Sequence, residues 1–248
     1  MALDYYNAQE KCWVSPRLVL VYYDQLIRLF GKSIFTSGAF KKVLEAKAVA
    51  IAILGVHKNN GNHFMMQIPI EVNESPDIVT MNLREYPDKP VQMELQDVEV
   101  VEYSEKTTTD IATFLITEKL SPSLSRRAYD EKTIIICHIT KNNVLVSNFD
   151  LQNQLKRINP RPVVYLLGPI PQKNKHYRLV RIWPELDKPI EIDILAEGNN
   201  YPKPDSLKLT LGTNKKVVFS KSSLPLPTPY EVFELNEKVL KKKFNIKM

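Results

Sequence analysis

Cysteine and glycine are scarce in this 248-residue chain, at two and seven positions. Cys12 and Cys137 lie far apart with no C-x-x-C neighbour, which argues against a disulfide framework and a zinc knuckle and predicts a reducing, cytoplasmic setting. So few glycines leave little room for a phosphate-cradling loop or a dinucleotide fingerprint, and no G-x-S-x-G is present; nucleotide-driven chemistry is not expected. His57, His63, His138 and His176 show no H-x-x-x-H or H-E-x-x-H spacing, against a dedicated zinc site. Cys137 and His138 adjoin in TIIICHI, but neighbours on a strand face opposite ways, which disfavours a Cys-His nucleophile. The longest apolar run, AVAIAILGV at 48–56, is well short of the roughly 20 residues of a membrane-spanning helix. MALDYYNAQEKCWVSPR lacks the basic start and apolar core of a secretory signal.

What is present suits a folded domain: 44% hydrophobic and 25% charged residues, close to the averages for globular proteins. A net charge of +6 and a pI near 9.1 favour an anionic partner. Leu18, Val21, Tyr22, Leu26, Leu29 and Phe30 recur at helical spacing, and Gly31 ends that helix. A second helix is predicted after Ser37 through Val56, apolar nearly all round in its second half and therefore enclosed by other elements. After the turn residues HKNNGN, the segments HFMMQIPIEV, DIVTMNL and VQMELQDVEVVEY read as three strands of a meander. Thr108 to Leu120 carries a helical stripe of Ile111, Phe114, Leu115 and Leu120. TIIICHI then reads as a strand buried on both faces. NFDLQNQLKRI reads as a short helix, with PVVYLLGPI and YRLVRIW as further strands. LKLTLGTNKKVVFSK suggests a hairpin, and TPYE opens a terminal amphipathic helix.

Four acidic or amide positions stand out: Glu45 in KKVLEAK, Asp77 in SPDIV, and Glu94 with Gln96 in MELQD. Alternation puts Glu94 and Gln96 on one face of their strand. Phosphodiester hydrolysis uses a hard divalent cation held by carboxylate oxygens beside an attacking water. The order helix, three strands, helix, strand from 37 to 140, with these residues, resembles the PD-(D/E)XK (restriction-endonuclease-like) nuclease superfamily. The resemblance implies catalytic Glu45, Asp77, Glu94 and Gln96, with Mg2+ on Asp77 and Glu94. Gln96 stands where that family has its usual lysine, and a glutamine supplies no positive charge; Lys106 and Lys119 are the substitutes considered.

PQKNKHYRLVRIW interleaves Lys173, Lys175, His176, Arg178 and Arg181 with Tyr177 and Trp183, a mixture suited to holding phosphates and stacking on bases; Arg126 and Arg127 would add contacts. The fold class expected is α/β (α+β), a mixed central sheet flanked by helices in a core spanning 1–185, then a hairpin and helix extension at 186–248. The function expected is a metal-dependent nucleic-acid phosphodiesterase, active or catalytically degenerate, with DNA preferred to RNA. The alternative is a non-catalytic nucleic-acid-binding accessory subunit or protein-interaction scaffold. The terminal helix would serve a homo-oligomer or protein partner.

Overall fold

The computed structural model describes residues 12–32, 35, 38–67, 76–86, 89–121, 129, 131–158, 162–203, 206–211 and 217–221. Arg126, Arg127 and the terminal helix expected from Thr228 lie outside the described residues. The chain is mixed α/β. It begins with β1 (Cys12–Val14), α1 (Pro16–Phe30), α2 (Gly38–Asn60) and β2 (His63–Gln67), followed by β3 (Ile78–Tyr86) and β4 (Lys89–Tyr103). Next come α3 (Ile111–Thr113, running on as a π-helix over Phe114–Leu120), β5 (Thr133–Ile139), α4 (Asn148–Ile158) and β6 (Val163–Pro169). The described part ends with β7 (His176–Trp183), β8 (Ile190–Asp193), α5 (Ile194–Asn200), β9 (Ser206–Leu211) and β10 (Val217–Lys221).

Among the described residues one sheet takes all ten strands, in the order β10-β9-β1-β2-β3-β4-β5-β6-β7-β8. The expected meander β2-β3-β4 is antiparallel, whereas β4-β5 and β5-β6 are parallel. A parallel pair needs a crossover segment, and α3 and α4 supply the two. Their apolar residues, including Phe114, Leu115, Leu151 and Leu155, pack on one face with Ile135, Cys137 and Leu166. On the other face α2 meets Ile78, Val98, Ile136, Leu167, Leu179 and Ile192. The buried residues of β5 divide between the two clusters, as its unbroken apolar run predicts.

α1 starts where Ser15 accepts a hydrogen bond from Leu18 N at 3.2 Å and ends at Gly31, whose φ of 72° suits glycine. The long α2 is enclosed, as its all-round apolar sequence requires. A Cβ built on Gly55 would lie 2.6 Å from Ile192 Cδ1, so this glycine permits the helix to approach β7 and β8 closely. α2 also runs through HKNN to Asn60, and the turn falls at Gly61 (φ 72°).

The sheet curls around α2. In a flat sheet, the six steps from β2 to β8 would span roughly 29 Å at about 4.8 Å per strand, whereas the 7-residue α5 rises only about 10 Å. Yet Tyr201, directly after α5, both donates to Phe64 O and accepts from Phe64 N at 2.8 Å on β2. β8 and α5 were not expected from the sequence. Since β8 pairs with β7 and β9 with β1, the boundary expected after residue 185 falls within a continuous sheet.

Candidate acidic site at the head of the long helix

The first turns of α2 carry Lys41, Lys42 and Glu45. Spacings of three and four residues place their side chains together. Lys41 Nζ lies 3.3 Å from Glu45 Oε1, and Lys42 Nζ lies 3.7 Å from Glu45 Oε2. Lys42 also donates to Asp77 Oδ1 at 2.8 Å. Lys42 and Glu45 are each only 7% exposed.

The end of a ladder places Asp77. β3 begins at Ile78, opposite Val98, and the chain leaves the sheet through the bend at Pro76-Asp77. Val100, two residues further along β4, directs its N–H at the place β3 has vacated. Asp77 Oδ2 accepts that N–H at 2.9 Å. The carboxylate thus closes the ladder with one oxygen and receives Lys42 with the other. Burial, and then the negative charge of Asp77, push the Glu45 pKa up against the opposing pull of Lys42 and Lys41. Glu45 Oε2 accepts no hydrogen bond although it is buried, an expensive state for a carboxylate oxygen.

Two residues proposed from sequence, Glu45 and Asp77, therefore meet. Glu94 and Gln96 do not join them. In the register Glu94 faces Asn82 and Gln96 faces Thr80, while Val98 faces Ile78. At a rise of about 3.3 Å per residue, Glu94 lies roughly 13 Å along the strand from Val98, and Asp77 is beyond that end. A metal shared by Asp77 and Glu94 needs ligand distances of about 2.0–2.6 Å, so the register corrects that assignment. Val98 and Val100 pack toward α2 beside Asp77.

Continuing the register by one step sets Glu99 across from Asp77, a position the sequence reading missed. The signal was available. β3 and β4 rejoin at Tyr86 opposite Lys89, so counting back from that connection reaches residue 98 or 99, not 94; the irregularity between Arg84 and Tyr86 adds the last residue. Of the lysines considered as substitutes, Lys119 Nζ lies 5.0 Å over the Phe114 ring, in the layer across the sheet from α2, and Lys106 is an exposed loop residue. Lys42 is the lysine that touches both carboxylates, and Lys41 pairs with Glu45 alone.

Among the described residues no group of three His, Cys, Asp or Glu side chains converges as a metal site. Magnesium commonly takes only one or two protein carboxylates, completing its shell with water and substrate phosphate. Asp77 and Glu45, whose buried Oε2 accepts no hydrogen bond, fit that demand.

The basic segment is self-neutralised. Lys173 and Arg178 each lie 3.3 Å from Glu191, and Lys175 lies 2.9 Å from Asp24. His176 Nε2 is 3.6 Å from Asp193, and Arg181 is 2.9 Å from Asp187. The β7-β8 register explains this, setting Arg178 opposite Glu191 and His176 opposite Asp193. The alternating IEIDI at 190–194 was the overlooked strand signal.

Cys137 and His138 part as expected. Cys137 packs in the α3-α4 layer, where burial pushes its thiol up to about 12, so it is no thiolate nucleophile. His138 is pushed down to about 4 by burial and then by Lys47. Lys47, whose Nζ sits 4.2 Å from the Tyr23 ring centroid, is itself held below its usual range, chiefly by burial. No helix among the described residues is long and apolar enough to cross a membrane. Comparison with protein-family models, curated proteins and solved structures returned no match.

Proposed function

We propose that the chain is a divalent-metal-dependent nucleic-acid phosphodiesterase with a restriction-endonuclease-like core, α2-β2-β3-β4-α3-β5. The observation that carries this reading is the convergence of Glu45 on α2 and Asp77 before β3 around one buried lysine. Ion pairs this buried lose much of their Coulombic gain to desolvation, and buried, perturbed carboxylates are common at working sites. Asp77 and Glu45 are the residues that would hold Mg2+, which when bound supplies Lewis acidity and an activated water. The Val100 N–H fixes the orientation of the Asp77 carboxylate. Glu45 Oε2, which accepts no hydrogen bond, would orient water at the metal, and Lys42, within 4 Å of both carboxylates, balances the charge.

The test is Mg2+- and Mn2+-dependent cleavage of labelled single- and double-stranded DNA, and of RNA, by the wild type, Asp77→Asn and Glu45→Gln. Cutting by the wild type, abolished in both folded variants, is the expected result. Glu94→Ala distinguishes the two placements of the site: retained cutting supports the Glu45-Asp77 site, and lost cutting restores the β4 carboxylate.

The second reading, a non-catalytic accessory module, is favoured by Val98 and Val100 beside Asp77 and by the acid-paired basic segment. Salt-dependent DNA binding without cutting, unchanged in these variants, would select it. Absence of both activities would direct attention to protein partners.

A further inference from the structure

Lys47 leaves α2 on the side away from the acidic cluster: two residues beyond Glu45, it is turned about 200° around the helix axis. Its Nζ stands 4.2 Å from the Tyr23 ring centroid and 5.8 Å from that of Tyr177. Among the described residues no carboxylate pairs with it. Asp24, the acid that acts on its charge, gives Oδ2 to Lys175 at 2.9 Å, and Lys32 and Lys175 are close enough to repel it. An aromatic face attracts an ammonium by about 0.5–2 kcal/mol but supplies no counter-charge. Three lysines against one aspartate leave a surplus of two positive charges. The neighbouring polar groups are uncommitted as well: among the described residues the hydroxyls of Tyr23 and Tyr177 and the ring nitrogens of His138 make no hydrogen bond. His138, on which the Lys47 charge acts, is the penultimate residue of β5, and Tyr177 faces Pro169, the last residue of β6. β5 and β6 are parallel, so the cluster gathers at their carboxyl ends, the end at which open α/β sheets take their ligands. Lys47, His138 and Tyr177 each keep part of their surface in solvent.

We propose that Lys47, with the hydroxyls of Tyr23 and Tyr177 and the imidazole of His138, forms a binding site for a phosphate monoester, as found on a free nucleotide or at the end of a nucleic-acid strand. Such a group carries about −1.5 to −2 charges at pH 7, which matches the surplus, whereas a carboxylate would leave one positive charge over. Its oxygens accept equally from an ammonium, a phenol and an imidazole N–H. Lys32 and Lys175 attract the anion without having to touch it. The site lies across α2 from Glu45 and does not depend on the reading of the acidic cluster as a metal centre.

The test is titration of the full chain with inorganic phosphate and with deoxyadenosine 5′-monophosphate in metal-free buffer, read by calorimetry and by the phosphorus resonance of the ligand. Saturable binding by the wild type is expected. It should weaken at least tenfold in Lys47→Met and severalfold in Tyr177→Phe, which keeps the ring and loses the hydroxyl. Lys47→Arg should restore most of the affinity, and Lys156→Met, at an exposed position on α4, should match the wild type. If Lys47→Met does not fold, Tyr177→Phe and Lys32→Met carry the test, each with a severalfold loss expected, and wild-type affinity in both overturns the proposal. Short oligonucleotides with and without a 5′-phosphate separate the two sources: tighter binding of the phosphorylated strand than of the mononucleotide assigns a strand end, and equal affinity assigns a free monoester. Absence of saturable phosphate binding by the wild type, or wild-type affinity in folded Lys47→Met, overturns the proposal. Phosphate binding without any nucleic-acid cleavage would uphold this site and sink the nuclease reading; cleavage without phosphate binding would do the opposite.

Discussion

The head of α2 and the β7-β8 ribbon both bring lysine or arginine against aspartate or glutamate, but in different surroundings. Lys42, Glu45 and Asp77 are enclosed, with side-chain exposures of 9%, 9% and 17%, whereas Arg178 and Glu191 are 54% and 50% exposed. Water screens the ribbon's charges, so its pairs hold little energy and compete only weakly with other partners. At α2 each charge depends on its neighbours for solvation, and losing the Lys42 ammonium leaves the two carboxylates short of counter-charge. A sequence displays the ribbon's basic residues more conspicuously, yet the electrostatic weight in the fold falls on the three quieter ones.

The largest effect that would sharpen this contrast is from Lys42→Ala, which takes the ammonium from Asp77 and leaves Glu45 only the exposed Lys41 as a paired cation. It should cost about 3–5 kcal/mol in metal-free urea unfolding at pH 7; a loss below about 1 kcal/mol would put the cluster in the ribbon's class. Tyr201→Phe asks whether burial without charge matters as much. Removing the hydroxyl leaves Phe64 N–H and C=O without this partner, and about 2–4 kcal/mol should be lost, at about 1–2 kcal/mol for each orphaned group.

His138 gives a pH test of burial. Its folded pKa, about 4 against 6.5 in the unfolded chain, means that its contribution is complete above pH 6.5 and declines as pH falls through that window, because the unfolded state takes up the proton first. The loss should be no more than about 3 kcal/mol, at 1.36 kcal/mol per pH unit. A melting series from pH 7.5 to 4 should be flatter for His138→Gln in this window. Glu45 has the opposite sign: with its folded pKa raised, the wild type gains stability as pH falls through that folded value toward 4.5. Glu45→Gln should lack this gain and be at least as stable as wild type at pH 7. A large loss in that variant would show that the carboxylate, and not its neutral form, is what the fold prefers. The smallest effect is Arg178→Ala on the ribbon, which should leave the melting curve unchanged within error.

Much of the local structure was legible. Periodicity located α1, an unbroken apolar run located β5, the all-round apolar sequence of α2 announced its enclosure, and Asp77 and Glu45 were chosen before their meeting was visible. Glu94 was misplaced because E-x-Q in a strand identifies a face but not a register. The Tyr86-Lys89 connection and the irregularity beside it set which residue of β4 reaches Asp77. The basic segment misled for a related reason: its acidic partners lie on β8, after a proline- and charge-rich stretch that obscured a short alternating strand.

By itself the sequence determined which segments become helices and strands and which faces are apolar, because these follow from backbone preference and the spacing of hydrophobic residues along a short stretch. Only the tertiary structure decided that Lys42 would stand between Glu45 and Asp77 while Glu94 stayed away. That choice depends on strand register, on where β3 leaves the sheet, and on how α2 lies across it, all set by contacts between residues distant in the chain.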